Sequence, residues 1–224
     1  MFLGHFGLAF AAKKVAPKTS LGTLVFAAQF ADMLWPFLLL TGLEQVRIVP
    51  GLLPASPFDF SSYPISHSLV AQLGWGGLLS LIYFAIRRDG RSALLVGGLV
   101  PTHWLLDFIA HRPDLPIYPG GQKYGLGMWN SVPLTISVEY VLFASGIALY
   151  LSATRAKETK GKFAWWSLVG LLGVLYLASL FGPPPPSVQA LAWSAIAIWL
   201  TVPWAPWADR HRQPVSNNPE ASSH

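Results

Sequence analysis

The segment His103-Trp-Leu-Leu-Asp107-Phe-Ile-Ala-His111 sets three metal-ligating side chains at four-residue steps. Residues four apart share one face of a helix, so His103 and Asp107 can share a cation, and Asp107 and His111 can share another or hydrogen-bond. Three more ionisable side chains, His5, Asp32 and His67, stand in or beside apolar runs. Apart from His211 and His224 close to the C-terminal end, these are all the histidines in the chain. Ionisable groups within a membrane span are costly and are functional candidates by default. The sequence has no cysteine, which excludes a thiolate site, a disulfide framework and a cysteine nucleophile. Imidazole with carboxylate suits a divalent metal, zinc first and then manganese or iron. The candidate metal ligands are His5, Asp32, His67, His103, Asp107 and His111. Asp107 or Asp32 is the candidate catalytic base for a metal-bound water, if not fully engaged as a ligand.

Each residue also has a plainer reading. His103 and Asp107 can simply neutralise one another between helices. Ser66-His67-Ser68 can be a helix start, because serine caps well. His111-Arg112-Pro113 can be a helix end, with proline just beyond it. Glu139, the one charged residue inside the later spans, reads equally as a structural hydrogen-bond partner or as a proton carrier.

The elements that must position these residues are written in the composition. Of 224 residues, 53% are hydrophobic and 11% charged, against about 25% charged in a soluble domain. A bilayer core needs roughly 20 apolar helical residues, and several runs reach that length. The expectation is an all-α integral membrane protein with about six transmembrane helices, near 21–41, 67–86, 92–111, 131–152, 163–182 and 187–206. A short apolar helix at 2–12 precedes them and re-enters the membrane. The stretches 44–66 and 112–130, rich in proline or in proline and glycine, read as loops, and Pro183–Pro186 as a stiff turn. Residues 1–207 form one membrane domain with the metal site in 1–120, and 208–224 read as a polar, disordered tail.

The net charge of +5 comes from basic clusters between the apolar runs, which is how membrane topology is written and is no nucleic-acid footprint. Lys13, Lys14 and Lys18; Arg87, Arg88 and Arg91; Arg155, Lys157, Lys160 and Lys162; and Arg210 and Arg212 all fall on one face of a six-span chain. The positive-inside rule makes that face cytoplasmic, with both termini inside, in a bacterial cytoplasmic (inner) membrane. At 1.5 Å per residue, Asp32 and His103 lie about 16 Å from the inner edge, Asp107 about 22 Å and His5 about 14 Å. His67 is too shallow at about 28 Å, unless its span starts later or Tyr63–Ser68 dips inward.

Four motifs in order, Gly4-His5-Phe-Gly-Leu-Ala-Phe, Ala31-Asp32-Met-Leu-Trp-Pro36, Ile65-Ser66-His67-Ser68-Leu69 and Thr102-His103-Trp-Leu-Leu-Asp107, resemble the YdjM-like membrane-bound metal-dependent hydrolases over roughly residues 1–120. That family is thought to be remotely similar to zinc-dependent phospholipase C and the fungal single-strand nucleases. The resemblance implies a metal held by Asp32, His67, His103 and Asp107, with His5 near a second metal. The superfamily's further His-x-x-x-Asp pair downstream is absent here. Where relatives often carry two acids followed by histidine, this chain has Asp32 alone.

The function expected is a membrane-embedded metal-dependent hydrolase, a phosphoesterase acting on a lipid or amphiphile through metal-activated water. The partners expected are that substrate and the membrane, with no nucleic acid. The alternatives are a transporter or channel for a metal ion or proton, and a non-catalytic membrane protein with a structural metal.

Overall fold

Apolar runs bounded by strong caps become the helices. Ser68, Asp89, Ser131 and Ser187 each accept a backbone N–H from the first turn that follows them, satisfying donors a helix start leaves free. The computed structural model describes residues 1–215. In chain order they form α1 (Leu3–Val15), α2 (Leu21–Ala28), α3 (Phe30–Leu40), β1 (Gln45–Leu53), β2 (Ser56–Ser62), α4 (Pro64–His67), α5 (Leu69–Arg87) and α6 (Gly90–Ala110). Then follow β3 (Leu115–Pro116), β4 (Lys123–Tyr124), α7 (Val132–Ala153), β5 (Thr154–Ala156), α8 (Thr159–Phe181), α9 (Val188–Ile196), α10 (Thr201–Arg210) and β6 (Arg212–Pro214). Five helices are long and apolar enough to cross a membrane, or six if the bent pair α2–α3 counts as one span. Their outward faces carry bare apolar side chains such as Leu81, Ile86 and Leu94. Water would penalise such surfaces, whereas lipid accepts them.

The expectation of helices alone needs amendment. The stretch 44–66 contains an antiparallel hairpin, with Arg47 opposite Asp59 and Leu53 opposite Ser56. Its prolines argued for a loop, yet proline is tolerated on edge strands, and both strands of a two-stranded ribbon are edges. The stretch 112–130 contains the short β3–β4 pair. Residues 208–215, assigned to the tail, end α10 and form β6, which pairs with β5. The rest of that tail lies outside the described residues.

The first expected span is bent into two helices. α2 and α3 meet at Gln29 with a 55° bend, and Pro36 lies inside α3, where it can donate no backbone bond. The second span starts at Leu69, after a separate turn that carries His67. The 13-residue α1 spans only about 20 Å. It is nonetheless largely enclosed, with Leu3, Phe6 and Phe10 fully buried. It packs chiefly on α7, and also on α2 and α6.

Close approach of α1 and α7 rests on glycine. A Cβ on Gly7 would collide with the Leu142 carbonyl, and one on Gly146 with the backbone of Gly7. Small residues let helices in lipid come this near. Gly146→Val is therefore expected to cost about 1–3 kcal/mol or more, read as a lower midpoint of thermal unfolding in detergent. Gly170→Val on α8, with nothing within 4 Å of the added carbon, is the control and should leave the midpoint near the parent value.

Candidate metal centre

Helix spacing and two irregularities bring the His/Asp groups together. His103 and Asp107 lie one turn apart on α6, with His103 Nε2 3.2 Å from Asp107 Oδ2. Asp32 comes from α3, just past the bend, and its Oδ1 lies 3.6 Å from His103 Nε2 and 3.4 Å from His67 Nε2. His67 comes from the separate turn α4, and its Nε2 is 3.8 Å from Asp107 Oδ2. A tetrahedral zinc with ligand bonds near 2.0–2.2 Å has edges of about 3.3–3.5 Å. The four separations, which run in a ring from His103 through Asp107, His67 and Asp32, lie near that range. These buried histidine and aspartate groups can hold a metal ion: Asp32, His67 and His103 form one such set, and His5, His103 and Asp107 another.

The outer partners of the histidines point the same way. His103 Nδ1 donates to the Ala28 carbonyl at 2.9 Å, an acceptor that the α2–α3 bend turns toward it. His67 Nδ1 is 2.6 Å from Ser66 Oγ, which donates to Glu44 at 2.5 Å. Glu44 also accepts the backbone N–H of Ile65 and Ser66. His111 Nδ1 donates to Asp114 at 2.9 Å. In each ring Nδ1 is engaged, leaving Nε2 to face the centre. Histidines that bind metal are held by this kind of partner on the second nitrogen. His103 Nε2 is buried and has no hydrogen-bond partner among the described residues. The donor set is therefore one that can hold a metal ion.

His5 and His111 stand differently. His5 stacks flat on His103, with ring centroids 3.6 Å apart, and its Nε2 lies 3.2 Å from Asp107 Oδ1. The Met1 amino group is 2.5 Å from the same oxygen. His5 thus meets Asp107 on the oxygen facing away from Asp32 and His67. His111 Nε2 is 4.0 Å from Asp107 Oδ2, farther than any of the four edges. It follows the last turn of α6, between Phe60 and Trp129. Tyr63 donates to Asp114 at 3.2 Å. Burial, then the Asp114 charge, pushes the Tyr63 phenol well above its ordinary range, so it remains a neutral donor.

Three contributors were not legible as such in the sequence. Glu44 lies in a predicted loop, and no spacing rule ties it to Ser66. Asp114 was visible only as part of a helix end. Glu139, one of whose two readings was a structural hydrogen-bond partner, accepts the backbone N–H of Phe2 and Gly4, both at 2.8 Å. It fastens the start of α1, and so His5, to α7.

A cavity of about 200 Å³ reaches the cluster. Asp32, His67, Asp107 and His111 line one side of it, and Trp35, Glu139 and Tyr176 are among the others. At the opposite end of α1, Lys13 is buried against Asp209 at 2.5 Å. Phe6 and Phe10 fill the space between that pair and the cluster.

The chain matches no protein-family model, no curated protein and no solved structure.

Replacing the outer partners tests whether they tune a metal. Glu44→Gln and Ser66→Ala are each expected to weaken zinc affinity about 10–100-fold, measured by competition with a chromogenic chelator. Affinities equal to the parent's would show that the Glu44–Ser66–His67 chain serves packing alone.

Proposed function

We propose that the protein is a membrane-embedded, metal-dependent hydrolase that cleaves a phosphoester or other ester of a lipid or amphiphile. Asp32, His67, His103 and Asp107 hold the ion, with zinc the best fit to two imidazoles and two carboxylates. The observation that carries this reading is the convergence of buried His and Asp side chains from three separate elements, Asp32, His67 and His103 close enough together to share an ion and Asp107 beside them, with the outer partners of the histidines in place. The ordered motifs that resemble the YdjM-like hydrolases fall on these same residues.

When bound, such an ion polarises an ester oxygen and lowers the pKa of water toward 7. The protein's own residues supply the rest. Both oxygens of Asp107 are engaged, one by His5 and the Met1 amino group and the other by the centre. That leaves it no proton-accepting role. Asp32 is a ligand that reaches in from the cavity side. The proton acceptor is His111, whose Nε2 faces the cavity while Asp114 holds Nδ1. A histidine oriented by a carboxylate is suited to take and return a proton.

The packed aromatic layer between the cluster and Lys13 favours an enzyme over an ion conduit, because no line of polar groups bridges the two among the described residues. The direct test is turnover of phosphoester and carboxyl-ester amphiphiles by zinc-loaded protein in lipid nanodiscs. Turnover lost in His103→Ala supports the reading. Metal bound with no turnover of any ester by the parent chain would leave a structural metal instead.

A further inference from the structure

Two residues that line the cavity carry buried donors with nothing to bind. Trp35 Nε1 and the Tyr176 hydroxyl are buried and without hydrogen-bond partners among the described residues, and both residues line the cavity beside the cluster. Their side chains are 7% and 3% exposed. Leaving a buried donor unmade costs about 1–3 kcal/mol, so two such groups in residues lining one cavity call for an acceptor brought in from outside. Indole N–H is a donor alone. The carboxylates in the same cavity do not meet the need. Glu139 already accepts two backbone N–H groups, and Asp32 faces His67 and His103. The complementary ligand therefore presents several acceptor oxygens, as a phosphoryl group does.

The cavity's size and outlet say what that group is attached to. Ligand pockets enclosing a whole drug-sized molecule run to about 300–1,000 Å³, and this one holds about 200 Å³. A headgroup fits, and the remainder must lie outside. α8 packs on α10, while α9 packs on α3, so the two leave a cleft between them. Ser179 and Leu180 line one side of it, and Ala195 and Ile198 the other. A second cavity of about 630 Å³ abuts the first, shares Phe58, Ser179 and Leu180 with it, and runs along Pro183–Pro185. The cleft is thus mainly apolar, bordered by α8 and α9 and, where the second cavity adjoins it, by the turn of the β1–β2 hairpin.

We propose that Trp35 and Tyr176 bind the oxygens of a lipid-borne phosphoryl headgroup, while its chain leaves sideways between α8 and α9 into the outer leaflet. This rests on the metal-site reading above, because the same headgroup would meet the ion, but it does not require that hydrolysis follow.

The test uses the full chain, zinc-loaded, in phosphatidylcholine nanodiscs. The probe is a dodecylphosphonate with a diazirine near the chain end, which resists hydrolysis. Saturable labelling is expected on peptides containing 177–182 and 194–198. Trp35→Phe and Tyr176→Phe should each raise the half-saturating concentration about ten-fold, the scale of one hydrogen bond to a charged group. Ala195→Trp should reduce labelling at the cleft with zinc content unchanged. Half-saturation unaltered in both phenylalanine variants, or label spread evenly over every lipid-facing helix, would overturn the proposal. Displacement by inorganic phosphate at concentrations equal to the probe's would overturn its lipid half, since the chain would then add nothing. Saturable labelling without turnover of dodecyl phosphate would sink the hydrolase reading and leave this one standing.

Discussion

Purified in detergent and dialysed against trace zinc, the parent chain is expected to carry about one zinc per molecule, as a single tetrahedral site would. His103→Ala and Asp107→Ala should retain less than about one tenth of that, since loss even of an outer partner costs 10–100-fold in affinity. Elemental analysis by mass spectrometry makes the measurement. The expectation follows from position. His103 Nε2 faces both Asp32 and Asp107, and Asp107 faces four imidazoles through its two oxygens. Removing His103 breaks both sets able to hold an ion, and removing Asp107 breaks one and takes a carboxylate from beside the other. Each variant also leaves buried polar groups unpartnered, so retained helicity by circular dichroism must accompany the metal loss. Equal zinc in all three proteins would end the metal-site reading, and with it the hydrolase.

His111→Ala is expected to separate chemistry from metal binding. Its imidazole lies outside the four-atom shell but borders the cavity, so the variant should keep its zinc. Loss of a positioned general base should lower kcat by about 10²–10⁴-fold with KM little changed. Asp114→Asn, which keeps the shape but removes the charge holding Nδ1, should show a smaller loss in the same direction. Asp32→Ala should instead lose metal. Should Asp32→Ala retain zinc and lose turnover while His111→Ala does the reverse, the two residues exchange roles.

The helical part of the fold was legible because a lipid span is a long, simple signal. Runs such as 131–152 and 163–182 contain few alternatives to an apolar helix, and both appear within a residue or a few of the expected bounds. What escaped were the departures from regular helix. Nothing in Leu21–Leu43 announces that the chain bends at Gln29, because the bend depends on what α6 and α9 present to it. The hairpin escaped because proline inside strands outweighed their alternation. The one-turn α4 was half seen: Tyr63–Ser68 dipping inward was one of two ways to bring His67 to the others, and Ser68 does adopt an extended conformation that separates α4 from α5. The site itself was largely readable. Membrane burial makes every ionisable residue conspicuous, so His5, Asp32, His67, His103, Asp107 and His111 could be gathered from type alone, and the structure brings all six within one cluster. Which of them face the centre and which stand behind it was not readable. That depends on the ring nitrogens, and those are set by Ala28, Ser66 and Asp114.

The tie between Glu139 and the first turn of α1 has a consequence for biogenesis. All six cluster residues are synthesised before residue 120, yet the helix carrying His5 finds its permanent mooring only when α7 arrives. A nascent chain stalled before α7 should hold the histidines and aspartates without the framework that aligns them. The full six-residue cluster is then assembled late, once α7 has been inserted.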